Sequence, residues 1–281
     1  MTTYAVTGST GPFGRTAIET LLARGVAPSD VVAIARTPGK AAELAERGVV
    51  VREGDYDRPE TLGPALAGVD RVLLVSGSEL GNRVAQHTAV IDAAVAAGVE
   101  RLVYTSVTRA DGTHLLAGEH RGTELALEAS GLAHSVLRNA LYLGVFTSRL
   151  DQAVATGAVV HAAGDGRVAS ATRADLAEAA ALALLHDDGP SSVRELAGAP
   201  FTYADLAAAF AEASGAPVEA RAVSADELAG ILAGAGLDAG AAGFVVGLDQ
   251  AIGAGEFDVT SSDLADLLGR EPVTLAEALR G

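Results

Sequence analysis

The stretch Tyr4-Ala5-Val6-Thr7-Gly8-Ser9-Thr10-Gly11-Pro12-Phe13-Gly14 sets three glycines between a short apolar segment and an apolar-periodic one. Gly8 permits a tight turn, Gly11 removes a side chain that would block a pyrophosphate, and Gly14 lets a helix pack closely on a sheet. Pro12 falls in the first helical turn, so Phe13 and Gly14 supply its free N–H groups. The pattern predicts a strand, a turn and a helix whose N-terminus binds the phosphates of a dinucleotide. The alternative is a glycine-rich turn without a ligand.

The second predicted strand, Val31–Ala35, indicates which dinucleotide binds. NAD-binding folds usually carry an acidic residue at the end of this strand for the ribose 2′-hydroxyl. This chain has Arg36 there, and a guanidinium suits a 2′-phosphate. Lys40 follows four residues later and adds positive charge. We therefore predict NADPH as the cofactor, with NADH as a second option, against the alternative of a solvated arginine at a strand end.

Strand-like and helix-like segments alternate through the first half of the chain, which predicts an α/β fold built on a Rossmann-type doubly wound parallel sheet. We assign residues 1–138 to an NAD(P)-binding domain, rejoined by about residues 167–197, with 167–171 and 193–196 returning to the main sheet. The remaining segments of 139–281 are assigned to a smaller C-terminal α/β substrate lobe. Helix-capping patterns start at Thr202, Ser224 and Thr274.

Composition excludes several classes of partner. The 281 residues are 49% hydrophobic and carry a formal net charge of -16, which opposes binding to nucleic acid or to an anionic membrane. The chain has no cysteine, which excludes disulfides, thiolate catalysis and cysteine-ligated metals. With no signal segment and no apolar run of membrane-spanning length, we expect a cytoplasmic protein without membrane insertion. Its oligomeric state is not readable from the sequence.

The lysine content bears on mechanism. Many short-chain dehydrogenases use a tyrosine and a lysine four residues apart as a proton donor and its pKa-lowering partner. This chain has a single lysine, Lys40, and none of its tyrosines precedes it by four residues. Any chemistry must therefore proceed without that pair.

Several motifs together carry a family resemblance. They are Thr7-Gly8-Ser9-Thr10-Gly11-x-x-Gly14, Val32-Ala33-Ile34-Ala35-Arg36-Thr37-Pro38, Gly54-Asp55-Tyr56, Tyr104-Thr105-Ser106, Glu119-His120, Leu137-Arg138-Asn139-x-x-Tyr142, Gly164-Asp165-Gly166 and Ala169-Ser170-Ala171-Thr172-Arg173-Ala174-Asp175. Over nearly its whole length the chain resembles the type 2 NAD(P)H:quinone oxidoreductases, which are NmrA-like atypical short-chain dehydrogenases.

The resemblance implies a set of cofactor contacts. The glycine loop would meet the pyrophosphate, the segment 76–78 would follow the adenosine and ribose, and the segment 139–142 would flank the nicotinamide. The predicted cofactor-binding residues are Gly8, Ser9, Thr10, Gly11, Pro12, Phe13, Gly14, Arg36, Lys40, Asp55, Tyr56, Ser76, Gly77, Ser78, Asn139, Ala140, Leu141, Tyr142 and Arg173. Gly77 stands where a serine is expected, and Ala140-Leu141 lacks the bulkier aromatic of some members.

The chemistry of a quinone suits a chain without the tyrosine–lysine pair. Hydride transfer to an aliphatic ketone creates an alkoxide whose conjugate acid has a pKa of roughly 16, so a positioned proton donor helps greatly. Hydride transfer to a quinone creates a phenolate whose conjugate acid resembles tyrosine, at about pKa 10. Water or a weak donor then suffices. Positioning of cofactor and substrate would supply most of the catalysis.

Two residues are candidate catalytic groups, His120 and Tyr142. His120 and Glu124 lie at helical spacing near the place where the tyrosine–lysine pair would be sought. The alternatives are a polar helix surface for His120 and Glu124, and a buried core tyrosine for Tyr142. A metal site is not expected, because no third ligand accompanies that pair.

The sequence thus favours an NADPH-dependent, flavin-independent quinone oxidoreductase that transfers hydride from nicotinamide. The main alternative is an NmrA-like dinucleotide-sensing regulator that binds cofactor without turnover. A weaker alternative is reduction or isomerisation of another small carbonyl compound. The physiological electron acceptor is not readable.

Overall fold

A computed structural model describes residues 1–77, 79, 81–186 and 189–280. Its strands are β1 (Tyr4–Val6), β2 (Val31–Ala35), β3 (Val50–Glu53), β4 (Arg71–Leu74), β5 (Arg101–Val107), β6 (Ala133–Asn139), β7 (Leu141–Tyr142), β8 (Ala158–His161), β9 (Arg167–Val168), β10 (Ser170–Ala171), β11 (Ser191–Leu196), β12 (Phe201–Thr202) and β13 (Glu219–Ala222). Its helices are α1 (Pro12–Ala23), α2 (Ala42–Glu46), α3 (Leu62–Leu66), α4 (Arg83–Ala97), α5 (Ala117–Ser130), α6 (Gly144–Thr147), α7 (Leu150–Thr156), α8 (Arg173–Leu185), α9 (Tyr203–Ser214), α10 (Ala225–Gly234), α11 (Ala239–Gly253), α12 (Asp263–Leu268) and α13 (Leu275–Ala278).

The main sheet is parallel throughout, with strand order β11-β6-β5-β4-β1-β2-β3. The central strands β2 and β4 consist almost entirely of Val, Leu, Ile and Ala, as expected of strands covered on both faces. Chain order reverses at β1, which lies between β2 and β4, and this reversal opens a crevice beyond the carboxyl ends of the strands.

Helices cover both faces of the sheet, so the predicted Rossmann-type doubly wound fold is confirmed. On one face α1 and α8 pack together, with Ile18, Leu21 and Leu176 in a shared core. On the other face α3, α4 and α5 bury a second core that includes Leu66 and Tyr104. The predicted second strand, Val31–Ala35, coincides with β2.

The prediction that 167–171 returns to the main sheet is wrong. β11 pairs with β6 along six residue pairs, from Ser191–His134 to Leu196–Asn139, and so occupies the free edge of that strand. The segment 167–171 instead forms two small ladders outside the main sheet, in which β9 pairs with β12 and β10 pairs with β7. The return of 193–196 to the main sheet is confirmed.

The C-terminal segments build a third core around Phe146, Phe210 and Ile252, beside the β8–β13 ladder. All three predicted capping patterns are confirmed, because Thr202, Ser224 and Thr274 each form a full capping box. One C-terminal helix, α12, lies outside this lobe, because its Leu264 and Leu268 pack into the core of α1 and α8. The division into two domains stays a prediction. No helix in the described ranges is long and apolar enough to cross a membrane.

Candidate cofactor site

A cavity of about 500 Å³ lies at the carboxyl ends of the central strands, beside β1. Its walls come from the glycine loop, from the turns after β2, β3 and β4, and from two segments of the later chain. The lining residues are Gly8, Thr10, Gly11, Pro12, Phe13, Gly14, Arg36, Gly54, Asp55, Tyr56, Asp57, Val75, Ser76, Gly77, Glu79, Gln86, Tyr142 and Arg173.

The glycine loop has the geometry that its spacing predicts. Gly8 adopts a φ of +58°, in the left-handed region that favours glycine. A Cβ atom on Gly14 would lie 2.5 Å from the Gly8 carbonyl oxygen, so only glycine lets α1 approach the loop this closely. The first helical hydrogen bond runs from the Arg15 N–H to the Gly11 carbonyl, which leaves the N–H groups of Phe13 and Gly14 free at the helix start. No acidic residue occupies this first turn, so the helix end favours an anion.

Ser9 and Lys40 are two of the five described residues of the predicted set that do not line this cavity. Ser9 is fully buried, and its hydroxyl donates to the Ile34 carbonyl at 2.9 Å, which ties the glycine loop to β2. Lys40 is exposed in a short 3₁₀ turn after β2 and does not reach the cavity lining. The structure therefore gives Ser9 a role in shaping the loop and leaves Lys40 on the protein surface.

Arg36 lines the cavity just beyond β2 and has a carboxylate neighbour that the local sequence does not reveal. Glu79, from the loop after β4, lies 3.9 Å from the Arg36 guanidinium, and both side chains are more than half exposed. Gln86 donates to both Glu79 and Asp57, at 3.3 and 2.8 Å. The Arg36 guanidinium therefore faces a negative group in the cavity itself.

Tyr56 fixes the cavity wall between β1 and β4. Its hydroxyl donates to the Thr7 hydroxyl at 2.5 Å and lies 2.9 Å from the Val75 carbonyl, while the Val75 N–H donates to Thr7. Burial raises the pKa of Tyr56. Asp55, its neighbour, is held by the Thr61 hydroxyl and by Arg58.

The buried His87 fixes the segment after β4 by a hydrogen bond to its backbone. The Gly77 N–H donates to Nε2 of His87 at 3.1 Å, and the opposite ring nitrogen of His87 meets the Thr123 hydroxyl at 3.0 Å. Burial lowers the pKa of His87 to about 3, so the ring is neutral and Nε2 accepts. Arg83 completes the support by donating to the Gly77 carbonyl. The predicted Ser78 lies outside the described residues.

The segment 139–142 contributes a side chain to the cavity only at Tyr142. Arg173 lies over the Tyr142 ring at 4.7 Å, and burial raises the pKa of this tyrosine. Asn139 is buried at the end of β6, and within the described chain its Oδ1 has no hydrogen-bond partner. Ala140 and Leu141 do not line the cavity. An orphan buried acceptor beside the cavity segment is a group that a ligand N–H would satisfy.

The alternative of a polar helix surface for His120 and Glu124 is wrong, because their exposed fractions are 6% and 1%. His120 meets the Tyr104 hydroxyl through Nδ1 at 2.8 Å, does not line the cavity, and has a pKa lowered to about 3 by burial. Glu124 accepts hydrogen bonds from Arg138 and Ser106, which hold its pKa below the usual range although burial opposes ionisation. Both side chains make hydrogen bonds within the protein interior.

Five lining residues are absent from the predicted set. Gly54 and Val75 directly follow β3 and β4, so the rule that ligands bind at strand ends would have found them. Gly54 also has no room for a side chain, because a Cβ would lie 2.4 Å from the Ile34 side chain. Asp57, Glu79 and Gln86 could not have been found by this rule. They line the cavity because two loops and α4 fold next to it.

With this geometry in place, comparison with known proteins is informative. The model of a family described as NAD(P)H-binding matches residues 8–187 of the chain. The chain belongs to this NAD(P)H-binding family. The match spans every strand of the main sheet except β1 and β11 and includes the whole glycine motif from Gly8 onward.

Individual proteins are similar to this chain over almost the full length of both. Quinone oxidoreductase 2 of Escherichia coli strain K12 is 41% identical over 98% of this chain and 96% of its own. The crystal structure of an NADPH-dependent quinone oxidoreductase from Escherichia coli complexed with NADPH superposes with a TM-score of 0.94 at 40% identity, covering 98% of each chain. The triphenylmethane reductase of Citrobacter sp., complexed with NADP(H), superposes with a TM-score of 0.93 at 37% identity over 99% of each chain. The resemblance to the type 2 quinone oxidoreductases is confirmed.

Proposed function

We propose that the chain is an NADPH-dependent quinone oxidoreductase that works without a flavin. The observation that carries the proposal is the 41% identity with Quinone oxidoreductase 2 along 98% of the chain, together with a dinucleotide-sized cavity that Arg36 lines. The tyrosine–lysine pair of ordinary alcohol dehydrogenation is absent from the sequence, in keeping with an acceptor whose reduced form is a weakly basic phenolate.

The cavity residues fit the parts of NADPH. The free N–H groups of Phe13 and Gly14 suit the pyrophosphate, and Gly11 leaves the loop open to it. Arg36 suits the 2′-phosphate. Tyr142 and Arg173 also line the cavity, where they would flank the nicotinamide. When bound, NADPH supplies a hydride from its nicotinamide ring.

The protein's own contribution is to position the reactants and to hold protons. Thr7, Tyr56 and His87 fix the loop after β4 through buried hydrogen bonds, so that this wall of the cavity is rigid. The Tyr142 hydroxyl stays protonated at neutral pH because burial raises its pKa, and it can donate a hydrogen bond to a developing phenolate oxygen. No stronger acid is needed, since that oxygen is only about as basic as a tyrosinate.

The test follows the reduced-nicotinamide absorbance when protein without added flavin is mixed with NADPH or NADH and a simple benzoquinone. We expect saturable oxidation that prefers NADPH. In Arg36→Asp the KM for NADPH should rise at least tenfold while that for NADH changes little, because a hydrogen-bonded charge pair contributes about 1.5–3 kcal/mol. Arg280→Asp makes the same charge change at an exposed position outside the cavity and should leave both values unchanged.

The regulator alternative predicts a different outcome in the same assay. Tight cofactor binding with no oxidation across several benzoquinones and naphthoquinones would contradict the enzyme proposal and favour a dinucleotide sensor. Unchanged NADPH preference in Arg36→Asp would instead overturn the role of Arg36 and leave quinone reduction standing.

A further inference from the structure

A second cavity, of about 480 Å³, lies in the C-terminal lobe and shares no lining residue with the candidate cofactor site. It is bounded by α6, α7, α10, α11 and the β8–β13 ladder. Its lining residues are Val145, Phe146, Arg149, Gln152, Ala153, Thr156, Ala158, Val159, Val160, Tyr203, Arg221, Leu228, Ile231, Leu232, Ala235, Leu237, Phe244, Val245, Leu248 and Asp249. Its volume falls in the range of small-molecule sites.

The mouth of the cavity is apolar and open to solvent. Val145, Ile231, Leu237 and Phe244 are 49%, 39%, 36% and 38% exposed, and all four line this one cavity. Scattered exposed apolar residues are ordinary, but exposed apolar residues that converge on one concave surface mark a binding site.

The inner end of the cavity is buried and polar. Tyr203 and Asp249 are 4% and 2% exposed, and the Tyr203 hydroxyl donates to Asp249 Oδ1 at 2.6 Å. The other carboxylate oxygen of Asp249 accepts the Ala162 N–H at 2.8 Å. Stacking of His161 on Tyr203, with ring centroids 4.3 Å apart, holds this end rigid.

Arg149 gives the inner end a positive charge. Its guanidinium donates to the Val160 carbonyl at 2.7 Å, lies 5.6 Å from the centroid of the Tyr203 ring, and is 3.5 Å from the Tyr203 hydroxyl. These contacts use two of the five guanidinium N–H groups, and within the described chain no carboxylate lies in ion-pairing distance of Arg149. Arg221 also lines the cavity, so its charged groups, Arg149, Arg221 and Asp249, sum to one positive charge.

We propose that this cavity binds a small amphipathic anion, with its apolar body against α10 and α11 and its acidic group at Arg149. A half-buried guanidinium fork with unused donors suits a carboxylate, sulfate or sulfonate head. The apolar walls suit an acyl chain or an aromatic ring. A neutral or cationic amphiphile would leave the Arg149 donors without a partner and is disfavoured at this site.

The test uses the full-length protein with saturating NADP⁺, which keeps the probe out of the cofactor cavity. The probe is 8-anilinonaphthalene-1-sulfonate, whose fluorescence rises when it enters an apolar site. We expect one saturable site per chain, displaced by decanoate and not by decyltrimethylammonium. Arg149→Met should weaken binding about 10- to 100-fold, because it removes a charge-assisted hydrogen bond and keeps the apolar stem. Arg280→Met is the matched control at an exposed arginine outside the cavity.

A second variant tests the location independently. Leu232→Trp adds bulk to a half-exposed wall of the cavity and should abolish probe binding while the thermal unfolding midpoint stays near that of the parent protein. Unchanged binding in Leu232→Trp would overturn the location of the site. Equal displacement by decanoate and decyltrimethylammonium would overturn the anionic head group.

A neutral probe separates charge recognition from structural support. N-phenyl-1-naphthylamine should bind Arg149→Met at least as well as it binds the parent protein, since it carries no acidic group to pair with the guanidinium. Equal loss of both probes would show that Arg149 only supports the fold and would overturn the proposal. Self-association of the chain that Leu232→Trp abolishes, without any probe site, would identify the apolar mouth as an interface between copies and would also overturn it.

Discussion

At the scale of single residues, the contact between Arg36 and Glu79 bears most directly on cofactor choice. A 2′-phosphate beside Arg36 would meet the Glu79 carboxylate, which lies 3.9 Å from the guanidinium. We expect Glu79→Gln to tighten NADPH binding about fivefold, since a like charge near 4 Å in a solvated site costs about 1 kcal/mol. NADH binding should change less than twofold, and fluorescence titration of both cofactors measures the difference.

The matched control for that prediction is Glu46→Gln, which makes the same charge change at an exposed position on α2. It should leave the affinity for both cofactors unchanged. Equal gains for NADPH and NADH in Glu79→Gln would show that Glu79 acts on the pyrophosphate or on the loop, and not on the 2′-phosphate.

His120 predicts how stability depends on pH. Burial, together with Arg83, His87 and His114, lowers its pKa from 6.5 to about 3, so the unfolded chain binds a proton that the folded chain does not. Stability from this group is therefore fully present above pH 6.5 and is lost as the pH falls below it, by about 1.4 kcal/mol per pH unit.

Denaturant unfolding at pH 7.0, 6.0 and 5.0 measures this slope, in a window above the range where most carboxylates titrate. We expect His120→Asn to flatten the slope by about 1.4 kcal/mol per pH unit, and His186→Asn, at an exposed histidine, to leave it unchanged. If the slope in His120→Asn equals that of the parent protein, this pH dependence does not come from His120.

At the scale of elements, Gly11 and Gly14 have different roles in the turn between β1 and α1: we expect Gly11 to serve cofactor binding and Gly14 to serve helix packing. A Cβ on Gly14 would lie 2.5 Å from a backbone oxygen, so Gly14→Ala must displace α1 and should cost about 1–3 kcal/mol of unfolding free energy. A Cβ on Gly11 would lie 3.4 Å from the same oxygen, and Gly11 is one of the residues that line the cavity. Gly11→Ala should keep its stability and lose at least tenfold in NADPH affinity.

Thermal unfolding of both variants measures the effect on stability, and titration with NADPH measures the effect on cofactor affinity. Loss of stability in Gly11→Ala equal to that in Gly14→Ala would refute a binding role for Gly11 and assign both glycines to packing alone.

Arg138 ties α5 to two strands of the main sheet. It donates to Glu124 on α5 at 2.9 and 3.0 Å and to Glu195 on β11 at 3.1 Å, and it pairs with Asp111 at 3.2 Å. Breaking a buried ion pair typically costs about 3–5 kcal/mol, because the remaining charge is left without its partner.

We expect Glu124→Gln to cost about 3 kcal/mol, the lower end of that range, since Glu195 and Asp111 still face the guanidinium. Glu128→Gln, at an exposed position on the same helix, should cost less than about 0.5 kcal/mol. Urea unfolding of both variants at pH 7 measures the costs, and equal values would contradict a structural role for the buried pair.

At the scale of the whole molecule, α12 joins the end of the chain to its beginning. Leu264 is fully buried in the core that α1 and α8 share. Leu264→Ala should cost about 2–5 kcal/mol and should speed amide hydrogen exchange in α1 and α8. Leu125→Ala, at a leucine that is 48% exposed, should cost less than about 0.5 kcal/mol. Exchange that increases only in the C-terminal lobe would contradict the shared core.

The sequence predicted the parts of the molecule that local patterns encode. The glycine spacing located the turn between β1 and α1, alternating apolar runs located the strands, and capping patterns located three late helices. Contacts between distant segments carry no such pattern. Glu79 reaches Arg36 from a loop 43 positions later, and β11 takes the sheet edge that 167–171 was expected to fill. The sequence also did not show which side chains of a helix are exposed, since it left open whether His120 and Glu124 are buried.

The position of α12 also has a consequence for synthesis on the ribosome. The apolar face of α1, with Ile18 and Leu21, emerges long before the residues of α12 that complete its cover. At about 5–20 residues per second, roughly 10–50 seconds separate the translation of these two segments. During that interval the nascent chain exposes an incompletely covered apolar surface, so slower elongation in the second half lengthens the time in which it can aggregate.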